Sequence, residues 1–230
     1  MTDEWGRQWW DTLRSETKQS TMGAKRSTAA KKPVSRSRKS EGMREAIVRA
    51  ATEIINTKSY ALATLTEIAG KLDLRDAALY HYFPNKQALA YACHRSSLGR
   101  LETLLAAADK AADTGEEKLR HFIRHMLVDA AQHGPQLYFG DYSYLDASHR
   151  KTVASWMERL TNLLVKFIKE GMADGTIVQC EPELVVQLVL GMLIWLAKWV
   201  PAIEGATVDR LMNAIDASIF RGLERRRTAR

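Results

Sequence analysis

The chain has 230 residues, 46% of them apolar, and a formal net charge of +7. That length buries a sizeable core, and that composition excludes a wholly disordered protein. Its two cysteines, Cys93 and Cys180, form no metal pattern and fit a reducing compartment, so the expected location is the cytoplasm.

Residues 1–20 carry Trp5, Trp9 and Trp10 among mixed charges and lack the apolar core of a secretory signal. Two explanations stay open: a start codon assigned too far upstream, and tryptophans that dock on a partner. Residues 24–40 hold seven Lys and Arg side chains and no acid, which equals the whole net charge. Residues 1–40 therefore read as a basic tail, disordered when alone. Such a tail either follows a DNA backbone, where each neutralised phosphate releases counterions, or is a solvated linker.

No later segment sustains period-two alternation, and nearly all of it reads as helix, an all-α fold. A first helix beginning near Ser40 or Glu41 and ending near Lys58 puts Ile47, Ala51, Ile54 and Ile55 on one face. Two short helices joined by a tight turn follow. Ile68 and Ala69 give the first an apolar face, Leu74 sits in the turn, and Leu79 and Phe83 share one face of the second. Pro84 ends it, and Asn85 caps a long helix reaching about Ala108. A fifth helix over 116–131 carries Leu119, Phe122, Ile123, Met126 and Ala130 on one side and is broken by Gly134-Pro135. A short sixth runs through Tyr144, and a seventh over 149–173 stops at Asp174-Gly175. The eighth starts at Pro182 and stops before Pro201, and the ninth covers 207–225. The apolar run from Leu184 to Val200 is interrupted by Gln187 and Lys198. It falls short of a clean membrane span, so no membrane association is expected. A helix apolar nearly all round belongs in a core or a subunit interface.

The short helix after Leu74 buries one side and leaves Arg75, Asp76, Ala78, Tyr80 and His81 on the other, a shape that can enter the DNA major groove. Thr64, Glu67-Ile68-Ala69, Leu79-Tyr80-His81-Tyr82-Phe83 and Lys86, preceded by Ile47 to Ile55 and Ser59-Tyr60, resemble the DNA-binding end of the TetR family of bacterial repressors (TetR/AcrR type). The resemblance is strongest over residues 43–93. It is weaker at Gly171-x-x-x-Gly175 and Gly191-Met-Leu-Ile-Trp195-x-x-x-Trp199, and nothing before residue 40 shares it. It implies a three-helix DNA-binding head over 41–90, with its helix-turn-helix, and a larger helical effector-binding and dimerisation domain over 91–230.

Two departures stand out. The family usually has Gly where this chain has Asp73, in a turn that wants a left-handed backbone; Asp adopts it at roughly 1 kcal/mol relative to Gly. The family often has a capping Ser or Thr where Arg75 stands, and Arg accepts no hydrogen bond from helix N–H groups. Asp76 compensates through the helix dipole.

The expected DNA-facing set is Thr64, Thr66, Arg75, Asp76, Ala77, Ala78, Tyr80, His81 and Lys86. Arg75 presents a fork that fits guanine O6 and N7, with phosphate contact as the alternative. Ala77 and Ala78 admit a close approach and offer methyl groups to thymine. The resemblance implies phosphate or sugar contacts for Tyr80 and His81, and phosphate contacts near helix N-termini for Thr64 and Lys86; packing against the first helix is the other reading of Tyr80. One head covers few base pairs, so a two-fold dimer on a palindromic double-stranded DNA operator is expected, with heads about 34–36 Å apart. The resemblance puts the dimer contact on helices eight and nine, through Leu184, Val185, Leu188, Leu190 and Ile194 and through Leu211, Ile215, Ile219 and Phe220.

The resemblance also implies a small-molecule effector in the larger domain. Phe122, His125, Tyr138, Tyr142, Trp156, Trp195 and Trp199 are its candidate contacts, for a flat or long apolar ligand such as a lipid or acyl-CoA. Ordinary core packing is the alternative for each aromatic. Glu117, His121, His125, Asp129 and His133 recur every four residues, but His121 lies opposite the apolar face of its helix, so a solvated stripe rather than a metal site is expected. No phosphate loop, nucleophile elbow, HExxH or CxxC pattern is present, and neither enzymatic activity nor a cofactor is expected. Transcriptional activation, or a protein-interaction module retaining the helix-turn-helix as a fold, stays open beside repression.

Overall fold

The computed structural model describes residues 36–137, 141–200 and 203–222. The protein is all-α, with eight α-helices and no strand among the described residues. They are α1 (Arg36–Lys58), α2 (Leu65–Gly70), α3 (Asp76–Tyr82), α4 (Lys86–Ala111), α5 (Gly115–His133), α6 (Ala147–Asp174), α7 (Pro182–Trp199) and α8 (Val208–Ile215). A π-helical turn over Asp216–Phe220 continues α8.

Most boundaries follow from local chemistry. Side-chain oxygens of Thr64, Asn85, Thr114, Asp146 and Thr207 each accept a backbone N–H three residues on, at the starts of α2, α4, α5, α6 and α8. Pro182 occupies the first turn of α7. Gly175 ends α6 with φ at 82°, a left-handed conformation that favours glycine.

α1, α2 and α3 close on one another through Ile47, Ile68, Leu79 and Phe83, all fully buried. α4 then runs from this head into a bundle with α5 and α6. α7 packs on α6, and α8 packs on α5. The bundle core is filled by Leu98, Leu105, Phe122, Ile123, Phe167 and Ile168. At the mouth of this packing Gly115, the first residue of α5, lies directly against the backbone of Phe167 and Gly171 on α6.

Four expectations need correction. α1 begins at Arg36, inside the segment read as tail. The sixth predicted helix is absent from the described residues 134–137 and 141–146. There Asp141 accepts the Ser143 N–H at 3.0 Å and its hydroxyl at 2.7 Å, a local turn that competes with helix. The buried face of α5 includes Leu127 and Ala131, with Met126 and Ala130 only half-buried. The last helix widens after Ile215, where the Arg221 N–H reaches the Asp216 carbonyl at 2.9 Å; Arg120 of α5 binds the Asp216 carboxylate and stacks over the Phe220 ring. Residues 223–225 of that predicted helix, Tyr138, Trp5, Trp9, Trp10 and the basic stretch before Arg36 lie outside the described residues.

Candidate nucleic-acid interface

The helix-turn-helix is built by α2 and α3. The Leu74 N–H returns to the Ala69 carbonyl at 2.9 Å and the Asp73 N–H to the Gly70 carbonyl at 3.2 Å, which closes the end of α2. That closure needs a left-handed residue, and Asp73 supplies it with φ at 55°. Asp73 thus takes the left-handed conformation for which the turn wants Gly. Leu74 leads into α3, which starts at Asp76 with Arg75 at the cap position and no side-chain cap bond. The Thr66 hydroxyl instead donates to the Asp76 carboxylate at 2.6 Å, tying α2 to the first turn of α3.

On α3, Leu79 is buried completely, and Arg75, Asp76, Ala77, Tyr80 and His81 are exposed. Ala78 is half-buried. Tyr80 is 53% exposed, so packing against α1 does not account for it. Thr64 and Thr66 are exposed at the start of α2, where the Thr64 hydroxyl accepts the Glu67 N–H at 3.1 Å. Lys86 is more constrained than the sequence suggests. Its ammonium donates to the Ala61 carbonyl at 3.2 Å and sits 4.4 Å from the Tyr60 ring centroid. Arg44 of α1 is a residue that sequence reasoning does not find. Its guanidinium donates to the Tyr82 carbonyl at 2.9 Å and lies over the Phe83 ring, so α1 fixes the far end of α3. Nothing local signals that bond, which spans 38 positions.

Residues 47–93 match a family model described as bacterial regulatory proteins, tetR family, and residues 112–223 match one described as tetracyclin repressor-like, C-terminal domain. The chain belongs to the TetR family. A curated relative of this TetR-family protein is the HTH-type transcriptional regulator BetI of Rhizobium meliloti (strain 1021). It is 34% identical over 128 residues, covering 53% of this chain and 63% of that protein. The chain thus matches less than two thirds of that relative's length. Among solved structures, AibR in complex with isovaleryl coenzyme A and operator DNA is similar at a TM-score of 0.66 and 20% identity, over 78% of this chain and 98% of that one. KstR2 of Mycobacterium tuberculosis gives 0.67 and 14%, over 78% and 93%. PfmR from Thermus thermophilus gives 0.60 and 24%, over 78% and 99%. At these identities the likeness establishes the fold: a TetR helix-turn-helix head and a helical C-terminal domain.

The structure disperses the effector candidates of this TetR-family chain. Phe122 is buried in the bundle core, while Trp195 and Trp199 are 60% and 40% exposed on α7. His125 is half-buried with its Nδ1 unpaired among the described residues, and burial, then its neighbours His121 and Arg124, holds its pKa below the usual histidine range. Tyr142 packs edge-on to His94. Of the group, Trp156 lines a cleft of about 690 Å³ between α1, α4, α5 and α6. The stripe of metal-ligating residue types on α5 is partly consumed: Asp129 binds Arg100 at 2.5 Å and His133 at 2.9 Å.

A polar junction joins head to bundle. Tyr60 stacks on Tyr144 with ring centroids 3.7 Å apart, and Gln87 Nε2 donates to the Tyr144 carbonyl at 2.7 Å. The fully buried His94 meets the Tyr144 hydroxyl at 2.9 Å. Burial pushes the His94 pKa down to about 4, with the Asp141 charge opposing that shift. In the unfolded chain a histidine titrates near 6.5. The folded state therefore keeps its full stability above about pH 6.5 and loses it as pH falls toward 4, where the unfolded chain alone takes up the proton. A loss of roughly 3 kcal/mol across that window is expected for the wild type. Thermal melts at stepped pH check it: His94→Gln should flatten the slope between pH 6.5 and 4, and an unchanged slope would remove His94 as its source.

Proposed function

We propose that this protein is a dimeric transcriptional repressor that reads a palindromic operator through α3 and is released by a small apolar effector. The observation that carries the reading is α3 itself. Leu79 and the following Phe83 are buried on one side, while Arg75, Asp76, Ala77, Tyr80 and His81 face outward. In this reading residues 41–90 form the DNA-binding head and residues 91–230 the effector and dimer domain. Arg75 reads a base, Ala77 and Ala78 allow close approach, Thr64, Tyr80, His81 and Lys86 set the register on the backbone, and Asp76, held by the Thr66 hydroxyl, steadies the first turn of α3. The basic segment before the head adds phosphate contacts, and the protein acts in the cytoplasm on the chromosome.

The dimer contact we propose is an apolar stripe on α7 formed by Leu184, Leu188, Trp195 and Trp199, each at least 40% exposed. Trp195 and Trp199 thus move from the effector set to the dimer surface. Leu211 and Ile215 of α8, assigned to that surface from sequence, are buried within the chain and serve its own core. For the effector, acyl-coenzyme A thioesters are the first class to test, a class that the AibR complex holds in its own structure.

The test is fluorescence anisotropy of the protein on its upstream intergenic DNA against scrambled DNA at matched salt, followed by titration of long-chain acyl-coenzyme A. Selective binding that the thioester releases supports repression with a lipid-type effector. Selective binding that ignores it discards the effector class. Arg75→Ala should cost about 1–3 kcal/mol of preference at one base pair in each half-site. A uniform loss across all sequences would instead assign Arg75 to phosphate.

A further inference from the structure

We propose that the cleft between α1 of the head and α4, α5 and α6 of the bundle binds a small organic anion, whose carboxylate or phosphate oxygens are taken by Arg49 and Arg95. The cleft holds about 690 Å³, within the range of small-molecule sites. Arg49 projects from α1 and Arg95 from α4, and both are exposed on the same cleft. Among the described residues neither forms a hydrogen bond or ion pair. Arg100 in the same wall is the contrast, since Asp129 and the Gly134 carbonyl satisfy its guanidinium.

The balance of charge favours an anion. Asp129 is occupied by Arg100 and His133, and Arg44 is engaged with Tyr82 and Phe83. Glu45 is the remaining acid on the cleft, against the two guanidinium groups of Arg49 and Arg95. Such forks match carboxylate and phosphate geometry with two parallel hydrogen bonds. Trp156 forms an apolar wall, and its indole N–H is buried with no acceptor among the described residues. The volume and that wall suit an organic body attached to the charged group, larger than inorganic phosphate. Because Arg49 and Arg95 lie on head and bundle respectively, an anion held between them ties the two together.

The site is tested on the full chain with 1-anilinonaphthalene-8-sulfonate as fluorescent probe and inorganic pyrophosphate as competitor. Wild type should show a probe signal that pyrophosphate displaces. R49Q/R95Q should weaken that displaceable binding by about tenfold or more, the scale of losing charge-assisted hydrogen bonds. K110Q/K151Q removes the same charge from exposed positions elsewhere and should leave it unchanged. Both arginines are exposed, and melting curves will verify that the fold persists. Equal binding by wild type and R49Q/R95Q overturns the proposal, as does an equal loss in K110Q/K151Q. Weaker DNA binding by R49Q/R95Q with unchanged probe binding would assign the arginines to the DNA backbone and likewise overturn it.

Discussion

Leu188→Glu is expected to leave the protein monomeric at micromolar concentration and to lower operator affinity by at least about two orders of magnitude. Leu184, Leu188, Trp195 and Trp199 are 57%, 75%, 60% and 40% exposed. Their spacings of four, seven and four residues keep them on one face of α7. An apolar stripe of that length on an exposed helix is what a partner covers. Burying each leucine contributes about 1.5–3 kcal/mol, and two-fold symmetry counts each residue twice. A glutamate at the centre reverses the sign, because each copy would bury an uncompensated charge. A head deprived of its partner loses half of the DNA contacts. Sedimentation equilibrium and anisotropy on the same preparation check both effects. Leu62→Glu is the control: Leu62 is 70% exposed in the turn after α1, away from the stripe, and should leave the mass unchanged. A monomeric wild type, or a Leu188→Glu variant that still dimerises, would reject this interface.

Gly115→Ala should destabilise the fold by about 3 kcal/mol or more, the upper end of overpacking costs. A Cβ at Gly115 would collide with the Gly171 amide nitrogen and the Phe167 carbonyl oxygen. Both are backbone atoms of α6, so no rotamer change relieves the clash. Only separation of α5 from α6 would do so, and that opens the core around Phe122 and Phe167. The melting temperature should fall by about 6–12 °C for a chain of this size. Gly99→Ala is the opposite case. Gly99 lies within α4, a Cβ there meets nothing within 4 Å, and helix propensity alone should stabilise by about 0.5–1 kcal/mol. Circular dichroism melts of the two variants should move in opposite directions, and similar melts would show that the contact between α5 and α6 yields.

The head is legible in the sequence because its determinants are short-range. Ile68, Ala69, Leu79 and Phe83 announce their buried faces by spacing, and Thr64 and Asn85 announce helix starts by capping chemistry. The turn that Asp73 occupies calls for a left-handed residue, and its φ of 55° agrees. The effector set is not legible. An aromatic in an amphipathic helix looks the same whether it fills a core, lines a cleft or faces a partner. Phe122 lies in the core, Trp156 lines the cleft, and Trp199 stands on the exposed stripe.

Caps, turns and apolar periodicity act over a few residues, so the all-α class, the helix-turn-helix and most helix ends can be read along the chain. Packing between distant helices sets Gly115 against Gly171, places Arg44 on the end of α3, and brings Arg49 and Arg95 to one cleft. The same packing turns Leu211 and Ile215 inward and leaves Leu184 and Leu188 outside. Each of these depends on which helices meet and at what angle, and periodicity along a single helix carries no record of its neighbour.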